Sequence, residues 1–290
     1  IWIHKQERFT LNVNYFHVVF TIPNELNVLC LIDPKFMYKV LFDISAETIK
    51  ELSKDKTYLG AKIGFTSVLH TWGRNLSLHP HIHMIVPGGG IDSNGKWKNS
   101  KKKFFLPVKV VSKLFKGKFL SYTKKNFDQR KIKDEEQFQN IIDACYSKDW
   151  VVYTKKPMKS AKHVVKYLGR YTHRIAISNA RIKKYEDNKV TFSYKDYSNH
   201  NQIKEMTLDD TEFFRRYMMH VLPSNFMKIH HYGFLGNRNK EERIKAIRTA
   251  TNTKDPGPFL IDYEQIISDI LKRDVSICIK CGQKRHHKLE

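Results

Sequence analysis

The segment Leu78-His79-Pro80-His81-Ile82-His83-Met84-Ile85-Val86 admits few structures. Its apolar and β-branched residues favour an extended chain, and Pro87-Gly88-Gly89-Gly90 stops the run sharply. On a strand, successive side chains point to opposite faces. His81 and His83 therefore share one face, while Ile82, Met84 and Val86 share the other, which can enter a core. Gly64 to Trp72 reads as a second strand, and Gly73-Arg74-Asn75 as the turn between the two. Two strands joined by a short polar turn predict an antiparallel hairpin.

The other predicted elements fit around that hairpin. Tyr15 to Ile22 is aromatic and β-branched, stops at Pro23-Asn24, and reads as a buried strand. Phe36, Val40, Leu41, Ile44, Ile49 and Leu52 recur at helical spacing between Pro34 and Lys54. A Lys-rich stretch from about Asn94 to Lys133 reads as an insertion with a helix near Val110 to Thr123. Glu135 to Ser147 and Ser160 to Leu168 are expected to be helical, the latter capped by Ser160. Trp150 to Thr154, Ile175 to Ser178, Arg181 to Tyr185 and Val190 to Tyr194 read as strands. From about Leu208 the chain is expected to be mainly helical, ending in a basic tail. Hairpins interleaved with helices predict an α+β fold around an antiparallel sheet. The expected division is a catalytic region over 1–205, with the insertion at about 94–133, and a helical region over 206–290.

Charge narrows the function. Of 290 residues, 52 are Lys or Arg and 29 are Asp or Glu, a net charge of +23. So large an excess repels itself unless a polyanion offsets it, and nucleic acid is the leading partner. No apolar run is long enough to span a bilayer, and no signal peptide opens the chain. Cys30, Cys145, Cys278 and Cys281 are too few and too scattered for a secreted disulfide scaffold, so a cytoplasmic location is expected. No phosphate-binding G-x-x-x-x-G-K-[ST] loop occurs, which excludes a P-loop ATPase or helicase and any nucleotide cofactor of that kind.

Two imidazoles on one strand face can converge on a divalent metal; the bland alternative is a pair of satisfied histidines beside a turn. A third ligand is needed. His70 lies on the preceding strand and can face this one across the hairpin, with His79 and His163 as alternatives. The second unusual segment is His163-Val164-Val165-Lys166-Tyr167-Leu168-Gly169-Arg170-Tyr171-Thr172-His173-Arg174. Tyr167 and Tyr171 stand one helical turn apart and stack on one side of a helix. Taken alone, Tyr171 reads as core packing beside Val164 and Leu168. Taken with Lys166, Arg170 and Arg174, the two phenols sit among cations that favour the phenolate, a competent nucleophile. A metal site, paired tyrosines and surplus cations make one chemistry together: transesterification of a DNA phosphodiester, with the metal polarising the phosphate.

Four stretches then carry a resemblance: Tyr15-Phe-His-Val-Val-Phe-Thr-Ile-Pro-Asn-Glu-Leu26; Leu69-His-Thr-Trp-Gly-Arg-Asn75 with His79-Pro-His-Ile-His-Met-Ile-Val-Pro-Gly-Gly-Gly90; Lys166-Tyr-Leu-Gly-Arg-Tyr-Thr-His-Arg-Ile-Ala-Ile-Ser178; and His231-Tyr-Gly-Phe-Leu-Gly-Asn-Arg238. Together they resemble the two-tyrosine HUH transposases of bacterial insertion sequences, the group numbered ninety-one. The resemblance implies a ferredoxin-like (RRM-like) HUH nuclease domain, His81 and His83 as the metal pair, and Tyr167 and Tyr171 as the nucleophiles. It further implies rolling-circle transposition through single-stranded element ends, a 5′-phosphotyrosine intermediate, and Mg or Mn as the metal, although imidazole softness alone points to other ions. Host replication machinery is an implied partner. Members of that group usually carry a Cys-rich zinc module before the first strand. Ile1 to Asn14 contains no Cys, so the chain is expected to lack it and, beginning at Ile1, to be a fragment or processed product. Cys278-Ile-Lys-Cys281 supplies only two thiols where a structural zinc wants four ligands. His286 and His287 could complete the set, but unpaired thiols or a truncated site is the preferred reading.

Two rivals differ in what they require. A replication initiator or relaxase would use the same HUH chemistry on another element. A degenerate, non-catalytic DNA-binding protein would use its charge for phosphates and Phe104, Phe105, Trp150 and Tyr153 for base stacking.

Overall fold

The computed structural model describes residues 8–101, 105–132, 134–158, 169, 176–196, 200, 202–255, 257 and 263–284. The fold is α+β, built on a five-stranded antiparallel sheet in the order β10-β2-β3-β1-β6. These strands are β1 (Tyr15–Thr21), β2 (Phe65–Trp72), β3 (Leu78–Pro87), β6 (Val152–Met158) and β10 (Ile229–Tyr232). Between β1 and β2 run α1 (Asn27–Ile32) and α2 (Pro34–Lys54). Between β3 and β6 run a small hairpin, β4 (Gly89–Ile91) with β5 (Trp97–Asn99), and the helices α3 (Val108–Asn126) and α4 (Glu135–Ser147). β1 and β2 each pair antiparallel with β3, so they run parallel to one another with β3 between them. By the same logic β3 and β6 are parallel with β1 between them. Two β-α-β units thus interlock, each lending a strand to the middle of the other.

Both sets of helices cover one face of the sheet. Phe16, Val18 and Phe20 of β1 and Ile82, Met84 and Val86 of β3 bury into a core with Leu41, Phe42 and Ile49 of α2 and Phe115 and Phe119 of α3. Phe20 meets Phe115 edge-on at 4.8 Å between ring centroids. Buried aromatic rings of this kind cost about 3–5 kcal/mol when cut back to Ala. The helix bounds follow local chemistry. Asp33 caps α2 by accepting from the Phe36 amide at 3.0 Å, with Pro34 in the first turn, and Asp134 caps α4 by accepting from the Glu136 amide at 2.9 Å.

The structure departs from the sequence expectations in places. The Lys-rich stretch is expected to be an insertion, yet its helix α3 supplies Val111, Phe115, Phe119 and Leu120 to the main core. Phe105 and Trp150, read as base-stacking surfaces, are buried: Phe105 stacks on Phe16, and Trp150 packs on Phe115 and Phe119. Residues 176–178 form no strand; Ala176 and Ile177 instead pack into a second core and run into a 3-10 turn, Asn179–Arg181. The C-terminal region is not only helical. Besides α5 (Asp210–Met218), α6 (Lys240–Ala250) and α7 (Tyr263–Leu271), it contributes β10 to the edge of the central sheet. Gly233 lets that strand lie against β2. Its φ is +60°, and a Cβ there would stand 1.8 Å from the Ile63 carbonyl oxygen.

A smaller sheet, β7 (Ile182–Glu186), β8 (Lys189–Asp196) and β9 (Gln202–Asp209), forms an antiparallel meander. Asp187 and Asn188, both at positive φ, make the tight turn between β7 and β8. Its core of Val190, Phe192 and Phe213 also takes in Leu76, from the turn between β2 and β3. Leu76 is fully buried at φ 63°, and the turn is held from outside. Arg181 donates to the Arg74 carbonyl at 2.6 Å, and His220 bonds the Leu76 carbonyl through Nε2 at 3.1 Å. Among the described residues, no helix is long and apolar enough to cross a membrane.

Candidate metal centre

The face of the central sheet opposite α2 and α3 carries the histidines. His70 of β2 stands directly across from His81 of β3, and Val68 across from His83. Because side chains alternate, His70, His81 and His83 all project from that face. One nitrogen from each lies within 4.8 Å of the others, a spacing that one divalent cation can bridge. His70 and His83 are buried, while His81 keeps partial exposure. The ring centroids are 4.5 Å (His70–His83), 4.8 Å (His81–His83) and 5.4 Å (His70–His81) apart, all edge-on.

The ring nitrogens on the far side are engaged. His81 donates from Nδ1 to the His79 carbonyl at 2.6 Å, which leaves the Nε2 lone pair for a metal. His83 Nδ1 lies 2.8 Å from Nε2 of His17 on β1. For His83 to ligate through Nε2, its Nδ1 must carry the proton and donate it, with His17 accepting. His17 is buried at 2% exposure, and its ring lies nearly coplanar with that of His83, the centroids 5.0 Å apart. Such contacts fix the tautomer and orientation of a ligating imidazole. Burial pushes the His81 pKa down to about 4, against a weaker upward pull from its bond to His79. At neutral pH it is therefore uncharged and holds its lone pair ready. Three imidazoles on one face of the sheet, two of them with an outer nitrogen committed, are a donor set that fits a divalent metal.

Pro80 does not break the strand. β2 and β3 change register between His70 and Trp72, and Pro80 sits opposite that bulge, where a ladder N–H is not required. The sequence reading missed His17. A signal was available: with Phe16, Val18 and Phe20 assigned to the core, His17 must share the opposite face with Val19 and Thr21.

Of the alternatives for the third ligand, His79 places its ring centroid 5.2 Å from that of His81 and offers His81 its carbonyl. His163, Lys166, Tyr167, Arg170, Tyr171 and Arg174 lie outside the described residues, as do Phe104, His286 and His287. Cys278 and Cys281 flank a tight turn in which the Cys278 amide donates to Gln283 at 2.8 Å and the Gly282 amide to Cys278 at 2.9 Å. Cys30 and Cys145 are buried, and burial raises both thiol pKa values, that of Cys145 to about 11.

Comparison with known proteins adds to this geometry. A family model, Y2_Tnp, described as "Putative transposase", matches residues 64–243, from the start of β2 into α6. The chain is 38% identical over 296 residues to "Putative transposase y4qJ" of Sinorhizobium fredii (strain NBRC 101917 / NGR234), an alignment covering 97% of this chain and 74% of that one. It is 28% identical over 289 residues to the "Transposase for insertion sequence element IS801" of Pseudomonas savastanoi pv. phaseolicola, covering 98% of this chain and 69% of that one. No solved structure matches.

Proposed function

The chain belongs to the Y2_Tnp transposase family, and on that premise we propose that it cuts and rejoins single-stranded DNA at the ends of an insertion sequence by tyrosine transesterification. The observation that carries this reading is the trio His70, His81 and His83 on one face of the sheet, with His79 engaging the outer nitrogen of His81 and His17 that of His83. The interlocked β-α-β units, with α2 and α3 packed on one face of the sheet, are in keeping with a ferredoxin-like HUH nuclease.

In this mechanism His70, His81 and His83 hold a divalent cation, Mg or Mn, which when bound supplies Lewis-acid polarisation of the scissile phosphate. Tyr167 or Tyr171 attacks phosphorus through its phenolic oxygen. The bond from phosphorus to the 3′ oxygen breaks, the phenolic proton leaves to solvent or the departing oxygen, and a 5′-phosphotyrosine and a 3′-hydroxyl result. Rejoining runs the same exchange backwards from a 3′-hydroxyl. The phosphotyrosine preserves the bond energy, so no ATP is consumed. Lys166, Arg170 and Arg174 favour the phenolate and hold flanking phosphates. The second tyrosine lets one site make a second cut while the first end stays attached. That suits rolling-circle transfer alongside the host replication machinery in the cytoplasm of a bacterium.

The test is cleavage of labelled single-stranded element ends with Mg or Mn. His81→Ala and His83→Ala should abolish cutting and leave salt-sensitive strand binding nearly intact. Undiminished cutting by His81→Ala in excess EDTA would remove the metal reading.

A further inference from the structure

A pocket of about 210 Å³ opens beside the histidine trio, between the central sheet and the loop after α5. Trp72 forms its wall toward the trio. The indole lies flat on the His70 imidazole, with centroids 4.6 Å apart and planes 18° from parallel. Lys228 holds its ammonium 4.9 Å from the centre of the same indole. The Lys228 backbone is fixed, since its carbonyl accepts from the Leu69 amide at 3.0 Å. Apart from Thr71 and His220, the remaining lining is apolar or aromatic, including Ala176, Tyr217 and Leu222. His220 also borders the pocket, but both its nitrogens are engaged, one by the Thr71 hydroxyl at 3.3 Å and one by the Leu76 carbonyl.

We infer that this pocket is a subsite for one unpaired base of the DNA strand whose phosphate lies over His70, His81 and His83. The inference rests on the proposed function and names a part of its substrate recognition. Aromatic faces and apolar walls with a cation beside them are the surroundings that unstacked nucleotides take in proteins. Tyr217 offers a ring face for stacking, and Lys228, held over the Trp72 indole, offers a charge to the phosphate of the same nucleotide. The volume corresponds to about seven waters at liquid density, the bulk of a single heterocyclic ring system. A base within a duplex cannot enter, because it is stacked and paired. The subsite therefore selects single strands and sets one nucleotide in register with the reacting phosphate, through the shared Trp72–His70 stack.

The experiment compares binding of two labelled probes by fluorescence anisotropy: a short oligodeoxythymidylate, and a base-free sugar-phosphate strand of the same length and charge. The full chain should prefer the strand with bases by about tenfold or more. Tyr217→Ala, at a partly exposed rim position, should lower that preference severalfold and leave affinity for the base-free strand unchanged. The unchanged affinity shows that the variant is folded. Lys228→Met removes the ammonium and keeps an unbranched side chain; it should weaken both probes and reduce the salt slope by about one contact. If both variants keep the full preference for bases, and the salt slope of Lys228→Met is unchanged, the subsite is wrong while strand binding stands. If the unaltered chain binds neither probe, single-stranded DNA is not the substrate and the proposed function falls with the subsite.

Discussion

Replacing His17 by Phe should weaken the metal site without unfolding the protein. Phe keeps a flat ring beside His83, where the two imidazoles lie nearly coplanar, edge to edge, with centroids 5.0 Å apart and planes at 13°. What it removes is the nitrogen 2.8 Å from His83 Nδ1. With metal bound through Nε2, His83 must carry its proton on Nδ1, and in the variant that N–H would face a hydrocarbon ring. A buried donor left unpaired costs about 1–3 kcal/mol. At about 1.4 kcal/mol per tenfold, this predicts metal binding weaker by roughly 5- to 150-fold, in line with the 10–100-fold typical of such supporting contacts. The metal-free protein escapes most of that cost. Its His83 can move the proton to Nε2, toward the open site, leaving only an unpaired lone pair behind. Calorimetric titration of metal-free protein with manganese should show the loss of affinity, and the metal-free melting temperature should fall only a few degrees. Equal affinity in variant and parent, or a collapse of the metal-free melting temperature with metal binding unchanged, would refute the reasoning.

Acid should destabilise the metal-free protein. Burial is the first cause that pushes both His81 and His231 down to about 4 from an ordinary 6.5, so the folded state refuses protons that the unfolded chain accepts. Their contribution is complete above about 6.5 and shrinks as pH falls toward 4, a loss of up to about 3 kcal/mol each. Urea titrations at pH 7 and pH 4.5 check this, and equal unfolding free energies would contradict it. Gly233→Ala should cost more than about 2 kcal/mol, because it combines a left-handed backbone with a Cβ 1.8 Å from the Ile63 oxygen. An unchanged melting temperature would show that β10 seats against β2 by other means.

How far the sequence could be read depended on the range of the interactions. α2 and α4 begin and end where their Asp caps and apolar spacing place them, since capping and periodicity are local. The hairpin of β2 and β3 was legible for the same reason, and it brought His70 across from His81 once the register was known. β10 was not legible. Ile229-His-His-Tyr232 is too short for a period, and it is a strand only because Gly233 allows a close approach to β2, far away in sequence. His17 was missed because its partner, His83, lies 66 residues away on a neighbouring strand. Trp150, which the non-catalytic alternative would use for base stacking, instead packs on Phe115 and Phe119 in the core, a long-range contact that local sequence does not reveal.

The central claim is that a tyrosine of this chain becomes bonded to DNA. The direct measurement incubates the protein with labelled single-stranded element ends and Mg or Mn, denatures it, and looks for label that migrates with protein. Tyr→Phe removes the reacting oxygen and little volume, so each variant should fold. The account predicts an adduct for the unaltered chain, single cleavage retained by at least one of Tyr167→Phe and Tyr171→Phe, and no adduct for the double variant. An adduct that persists in Tyr167→Phe/Tyr171→Phe would mean that another residue is the nucleophile, and the account would be wrong.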